Sequence, residues 1–465
     1  YAYLPALFIY QDPSFHRCVA AERRLLDDPD YIPEYLSGTG THKVNKYFIG
    51  VALLQLPFFA VASGIAWATG APLDGYSLPF QVLAGLGAVF YLFFGLWFLQ
   101  RLLRRFVTGE WIIAFVMAAF TLGTNLLYYT IGAPLMSHVY SFFAVNGFLW
   151  AVSEAADRRG YIWYLASGIF FGLVILIRPV NAIVLLLVPL FAGSLKDFLK
   201  PSYILLVLLP VIDLALLQSF AWFLQTGSWF VWSYGNEGFN FLHPAIINVL
   251  FSFRKGLFIY TPLTLISLTG LLYLYKFNKK QFLIFLIFFI LFIFLLSSWW
   301  NWHYGDGFGM RPAIDVYALF AILLAIALGK SKAPVRNITG LLAVACVLLN
   351  LFQSWQYVKG IIHPYNMDRE KYAYVFLRTD PSFRNALGGS EEIPWHGTSM
   401  EKPCFVYREK KVPIDSLSKY NAMAKLTAYE LPVIPGRYYL SGSFYVRDLS
   451  DGAGNRLWFV LSIFR

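Results

Sequence analysis

The chain has 465 residues, 58% of them hydrophobic and only 14% charged, and carries a net charge of +11. Soluble domains run nearer half apolar and a quarter charged, so these proportions exclude an ordinary water-soluble globule. The charge does not point to nucleic acid, because most Lys and Arg fall in short connections between apolar runs, where they set membrane orientation.

In chain order, Tyr1–Lys46 is polar and carries Asp12, His16, Asp27, Asp28, Asp30, Glu34, His42 and Lys46. The run Tyr47–Trp67 (YFIGVALLQLPFFAVASGIAW) is long enough to cross a bilayer, which takes about 20 apolar residues. Apolar runs then predict ten spans near 79–103, 111–131, 137–153, 161–178, 180–196, 203–226, 256–276, 280–298, 313–330 and 334–357. Arg101, Arg104 and Arg105 follow the first, Arg158 and Arg159 the third, and Lys196 and Lys200 the fifth. Lys276, Lys279 and Lys280 follow the seventh, and Lys330, Lys332 and Arg336 the ninth. Every second connection is thus basic and assigned to the cytoplasm. The intervening loops are neutral or aromatic: 132–136, 227–255 and 299–312.

This parity bears on Tyr47–Trp67. If that run crossed, residues 1–46 would be cytoplasmic. If it enters from outside without crossing, residues 1–78 form one extracytoplasmic loop. Gly50 and Pro57 suit the second option, a bent and half-embedded helix.

Beyond Gln356 the composition turns polar. Strand-like alternation at Tyr438–Val446 and Arg456–Ile463, flanking Asp448–Gly454, predicts a small mostly-β domain over 359–465, placed outside by parity. The expected fold is therefore an all-α polytopic membrane domain over 79–358, about ten spans, with a C-terminal extracytoplasmic β domain. Cys18, Cys346 and Cys404 are scattered and show neither a disulfide framework nor metal-ligand spacing.

Three polar clusters fall on the predicted outer face: Tyr1–Lys46, Trp229–Lys255 and Ser297–Asp315 (SSWWNWHYGDGFGMRPAID). Each mixes carboxylates, cations and aromatic rings. Cations hold phosphate, rings stack on sugars, and a carboxylate takes the proton of an attacking hydroxyl. Loop aromatics such as Trp300 are also ordinary interfacial anchors, Asp306 between Gly305 and Gly307 is an ordinary turn residue, and Arg311 before Pro312 can snorkel. Arg254 and Lys255 are harder to dismiss, because they precede a span on the outer side, against the topogenic trend.

Asn45–Pro57 (NKYFIGVALLQLP), Met136–Phe142 (MSHVYSF), Leu173–Asn181 (LVILIRPVN), Arg254–Pro262 (RKGLFIYTP) and Trp299–Pro312 (WWNWHYGDGFGMRP) carry a resemblance. Over residues 1 to about 360 the chain resembles the integral-membrane GT-C glycosyltransferases, which include protein O-mannosyltransferases and lipid A aminoarabinose transferases. The resemblance implies transfer of a sugar from a polyprenyl-phosphate carrier to an extracytoplasmic glycan, lipid or protein, at the cytoplasmic membrane with the site on the periplasmic side. It implies juxtamembrane helices in the first loop, favouring the half-embedded reading of Tyr47–Trp67. It implies that Lys46, Arg254, Lys255 and Arg311 contact the carrier phosphate, and that His138, His303 and Trp300 line the sugar or acceptor pocket. The family's usual general base comes just ahead of the stretch matched by Tyr1–Pro5, before residue 1, which leaves Asp12, Glu237 and Asp306 as the in-chain catalytic candidates.

Two other classes compete: a transporter or flippase for a lipid-linked glycan, and a non-catalytic membrane subunit binding a protein partner through 359–465. Transporters tend to carry internal repeats and mid-membrane ionisable residues. Here no repeat is evident, and only Asp213 lies deep in a predicted span. No cofactor and no nucleic-acid partner are expected; a divalent metal stays open, since no cluster has convincing ligand spacing.

Overall fold

The computed structural model describes residues 1–39, 42–193 and 200–387. The predicted β domain lies outside the described residues from 388 onward. Its described part, 359–387, holds a short helix and a 3-10 turn, and it packs Ile361, Ile362, Met367, Val375 and Leu387 against Tyr260 and Phe308.

The helices are α1 (His16–Leu25), α2 (Gly50–Thr69), α3 (Leu78–Leu103), α4 (Glu110–Leu122), α5 (Leu126–Ile131), α6 (His138–Arg158) and α7 (Tyr161–Ile177). They continue with α8 (Val188–Phe191), α9 (Pro201–Thr226), α10 (Ile246–Phe251), α11 (Leu257–Tyr260), α12 (Pro262–Ser267), α13 (Thr269–Phe277) and α14 (Lys279–Ser297). α15 (Tyr317–Lys330), α16 (Ala333–Val358) and α17 (Arg369–Val375) complete the described chain. Among the described residues the strands are β1 (Leu36–Thr39) and β2 (His42–Asn45), antiparallel, with Leu36 opposite Asn45.

Among the described residues, six helices are long and apolar enough to cross a membrane: Gly50–Thr69, Leu78–Leu103, Pro201–Thr226, Lys279–Ser298, Arg311–Lys330 and Ala333–Val358. The chain is thus compatible with a multi-pass membrane protein. Burial grades these helices: 94% of the apolar window of Arg311–Lys330 is enclosed, against 11% for Ala333–Val358, so α15 is the bundle's axis and α16 its rim. Of the other predicted spans, 137–153 forms one helix, α6, and the rest are shorter or broken. The 111–131 run divides at Gly123–Asn125, because Asn125 spends its amide on Phe308 O (3.0 Å) and accepts from Tyr317 Oη (2.6 Å). The 256–276 run breaks at Thr261–Pro262, since proline has no N–H to continue the ladder. The carbonyl of Tyr260 accepts instead from Asn350 Nδ2 at 2.7 Å.

α7 packs closely on α9 at Gly168, where an added Cβ would collide with the backbone carbonyl of Val207. Small residues allow such close approach between membrane helices. Gly168→Val is expected to destabilise the protein by about 1–3 kcal/mol or more, as overpacking does, and thermal unfolding in detergent checks it.

Polar loops gather at one end. Ser37 Oγ donates to Ser233 O, Ser233 Oγ to Lys46 O (3.0 Å), and Asn240 N to Ser298 O (2.6 Å). Gly307 N donates to Pro364 O at 3.1 Å, which adds the 359–387 segment. The far end of α6, roughly 30 Å away at ~1.5 Å per residue, carries the basic connections. There Arg104 pairs with Glu110 (3.0 Å) and Arg105 with Asp157.

α2 meets the length and hydropathy of a span, whereas loop charges predict that it only dips in. It runs antiparallel along the first part of α3: Tyr91 Oη donates to Leu54 O (2.6 Å) and Phe59 meets Phe80 (centroids 5.2 Å). Both of its ends are tied to residues 1–46. Tyr3 Oη donates to Tyr47 O (3.1 Å) just before it, and just after it Gly75 O accepts from Tyr1 Oη (2.8 Å) while Tyr76 Oη donates to Glu22 Oε1 (2.7 Å).

Candidate functional site

The loop-rich end holds three cations with little negative charge to neutralise them. Lys255 is 2% exposed, and its Nζ donates to the carbonyls of Gly307 and Pro364. Burial, reinforced by Arg311 and Arg254 and opposed by Asp306, pulls its ammonium down to about 7. Arg254 donates from Nε to Tyr365 O (3.0 Å), and its guanidinium lies 4.7 Å from the Tyr365 ring centroid. Arg311 donates to the carbonyls of Asp306 (3.0 Å) and Tyr304. His303 sits in the combined field of all three: burial first, then Arg254, Lys255 and Arg311, lower it to about 4, so it is a neutral imidazole at neutral pH.

The segment Tyr304–Gly309 wraps these cations through an unusual backbone. Tyr304 has φ 59° and Gly307 φ 151°, regions that cost an L-residue strain and suit glycine. The wrap turns the Gly307 carbonyl to Lys255, and Phe308 N donates to Tyr129 Oη at 2.9 Å. Asp306 rides on this turn, exposed. Its carboxylate takes no hydrogen bond among the described residues, yet its charge is felt by Lys255. An unpaired carboxylate next to this cation cluster can accept a proton; the cations can hold an anion.

Lys46 and Glu237 lie in an adjoining corner, paired at 3.2 Å and partly buried, with Tyr234 beside Glu237. Burial pushes the Tyr234 phenol up to about 12, against the pull of the Arg178 charge. Glu237 therefore already has a cation, and its role as a base would require Lys46 to let go. Trp300 is 56% exposed and joins the rest through its backbone N, which donates to Gly238 O at 2.9 Å.

Asp12 stands apart. Its Oδ2 accepts from Arg17 N (2.7 Å) and its Oδ1 from Ser14 N (3.0 Å), anchoring the start of α1. Burial raises this carboxyl, but those backbone and Ser14 hydrogen bonds outweigh it and hold it below the usual carboxylate range. These bonds commit the carboxylate to the start of α1 and leave a weak base.

His138 opens α6 and is 4% exposed, with its Nδ1 3.2 Å from Asp315 Oδ1 and 3.0 Å from Arg178 Nη1. Asp315 is wholly buried; its Oδ2 accepts from Arg178 Nη1 (3.1 Å) and from Asn181 Nδ2 (2.8 Å). Arg178 and Asn181 stand on either side of the break between α7 and the following 3-10 turn, which begins at Pro179. Sequence reading named His138 without these partners. The available signal was the cost of burying Arg178 and Asp315 beside apolar runs, which demands that they pair.

No protein-family model, curated protein or solved structure matches the chain.

Proposed function

We propose that the protein is a membrane glycosyltransferase that moves a sugar from a polyprenyl-phosphate carrier to an acceptor hydroxyl outside the cytoplasm. The observation that carries this reading is the convergence of Arg254, Lys255 and Arg311 around neutral His303, with Asp306 the free carboxylate beside them. The basic connections at the opposite end support a cytoplasmic orientation for that end, and so an outward-facing site. On this reading α2 lies half embedded, a wall of the site whose two ends both return to residues 1–46.

The chemistry asks little of the protein. Asp306 takes the proton of the acceptor hydroxyl, whose oxygen forms a bond to the sugar's anomeric carbon. The bond from that carbon to the carrier phosphate oxygen breaks, and polyprenyl phosphate leaves with the electron pair. The cations stabilise the charge that grows on the leaving phosphate, where preorganised electrostatics contributes most. Glu237 and Lys46 would border the acceptor side, and Trp300 would anchor the loop at the lipid interface.

Titration of the purified protein with polyprenyl phosphate tests this reading. Arg254→Ala is expected to weaken binding about 10–100-fold, the effect of about 1.5–3 kcal/mol for a charged hydrogen bond. Raising salt should weaken wild-type binding and narrow the gap to the variant. Wild-type binding that ignores both salt and Arg254→Ala would remove the reading's main support.

A further inference from the structure

Arg178 holds more binding capacity than its ion pair uses. Its side chain is 16% exposed, and Nη1 alone serves Asp315 and His138. Among the described residues Nε and Nη2 have no hydrogen-bond partner. Neither atom is among the buried polar atoms left unpaired, so both reach accessible space. A guanidinium offers five donors in a planar fork suited to phosphate, so most of this one is spare.

Its surroundings place it near the cation cluster already described. Tyr304 lies within the fields of Arg178, Asp315 and Arg311 together, and Tyr234 within those of Arg178 and Glu237. Tyr129 fills the gap between the two groups: its ring meets His138 (centroids 5.4 Å), and its hydroxyl faces Gly307 beside the Arg311 side chain. Arg311 donates to Tyr304 O and reaches Met136 Sδ (3.9 Å), two residues ahead of the His138 that Arg178 contacts.

We infer that Arg178 is a further phosphate contact of this cation cluster, and that Asp315, with Asn181, is a positioning group that holds its guanidinium in place. The inference rests on the reading of the cluster as a carrier-phosphate site. A fully buried carboxylate is expensive unless every neighbour is a donor, and here Arg178 and Asn181 both donate to Asp315 Oδ2. Asn181 is fixed in turn by Ser141, to whose Oγ it donates at 3.3 Å. The arrangement immobilises one edge of the guanidinium and leaves the other for ligand. His138 Nδ1 faces both partners and can donate to Asp315 or accept from Arg178, not both at once, so its tautomer follows the pair.

Equilibrium binding of polyprenyl phosphate and thermal unfolding, measured side by side, test this. Arg178→Gln is expected to weaken binding at least tenfold and to lower its salt dependence; Arg178→Lys, which loses the fork, should be intermediate. Asp315→Asn should weaken binding in the wild-type background and add nothing in the Arg178→Gln background. If Asp315→Asn does not fold, Asn181→Ala serves the same comparison, since it removes one donor and no charge. Arg178→Gln that unfolds at lower temperature but binds as wild type would make the group purely structural and overturn the inference. If Arg254→Ala still weakens binding in that case, the phosphate reading survives. Absence of wild-type binding would overturn both.

Discussion

Asp306→Asn is expected to lower sugar transfer by about 10²–10⁴-fold, the range that general-base catalysis contributes, while polyprenyl phosphate binds at least as tightly as to wild type. Asparagine keeps the shape of the side chain and its place on the Tyr304–Gly309 turn, so the cation cluster should keep its form. It cannot take a proton, and it removes a negative charge that faces Lys255. Rate and affinity therefore separate, as expected for a group that acts on the acceptor hydroxyl and not on the carrier. Transfer in single-turnover assays, with affinity measured on the same preparation, checks the pair. Unchanged transfer would move the base elsewhere, to Glu237 or to an acid outside these residues, because Asp12 is committed to the start of α1.

A second large effect concerns pH. The Lys255 ammonium is lowered by burial and by the Arg311 charge to about 7. An anion bound beside it favours the charged form, so affinity is full below pH 7 and falls as pH rises through it, by up to tenfold per unit until the complex itself titrates. The suitable probe is a polyprenyl phosphate methyl ester, a phosphodiester whose charge stays constant over this range. His303, lowered to about 4, is already neutral there and adds no competing slope. Lys255→Arg, charged at every accessible pH, should flatten the profile. A wild-type profile flat from pH 6 to 8.5 would mean that Lys255 only braces the carbonyls of Gly307 and Pro364.

The sequence reading succeeds where the signal is local. Long apolar runs such as Pro201–Thr226 and Ala333–Val358 declare themselves by length, and proline at or near their first position marks their starts. Arg254 and Lys255 stand out because they sit ahead of a span on the outer side, against the topogenic trend. The breaks at Gly123–Asn125 and Thr261–Pro262 are less visible, because each is stabilised from far away: Asn125 bonds Phe308 and Tyr317, and Asn350 bonds Tyr260. The pairing of Arg178 with Asp315 spans 137 residues and leaves no periodicity to read. Asp12 shows the converse case. A carboxylate two residues before Ser14 and four before His16 marks a helix start, and its chemistry is absorbed there.

The most direct test of the central claim is transfer itself. Purified protein in lipid vesicles would be given polyprenyl-phosphate sugars carrying a radiolabel, together with cell-envelope extract as acceptor. The account predicts that, for at least one sugar, label leaves the lipid carrier for a polar or lipid-bound acceptor, with release of polyprenyl phosphate, and that Asp306→Asn stops it. Wild-type protein that binds polyprenyl phosphate yet moves no label from any donor would contradict it.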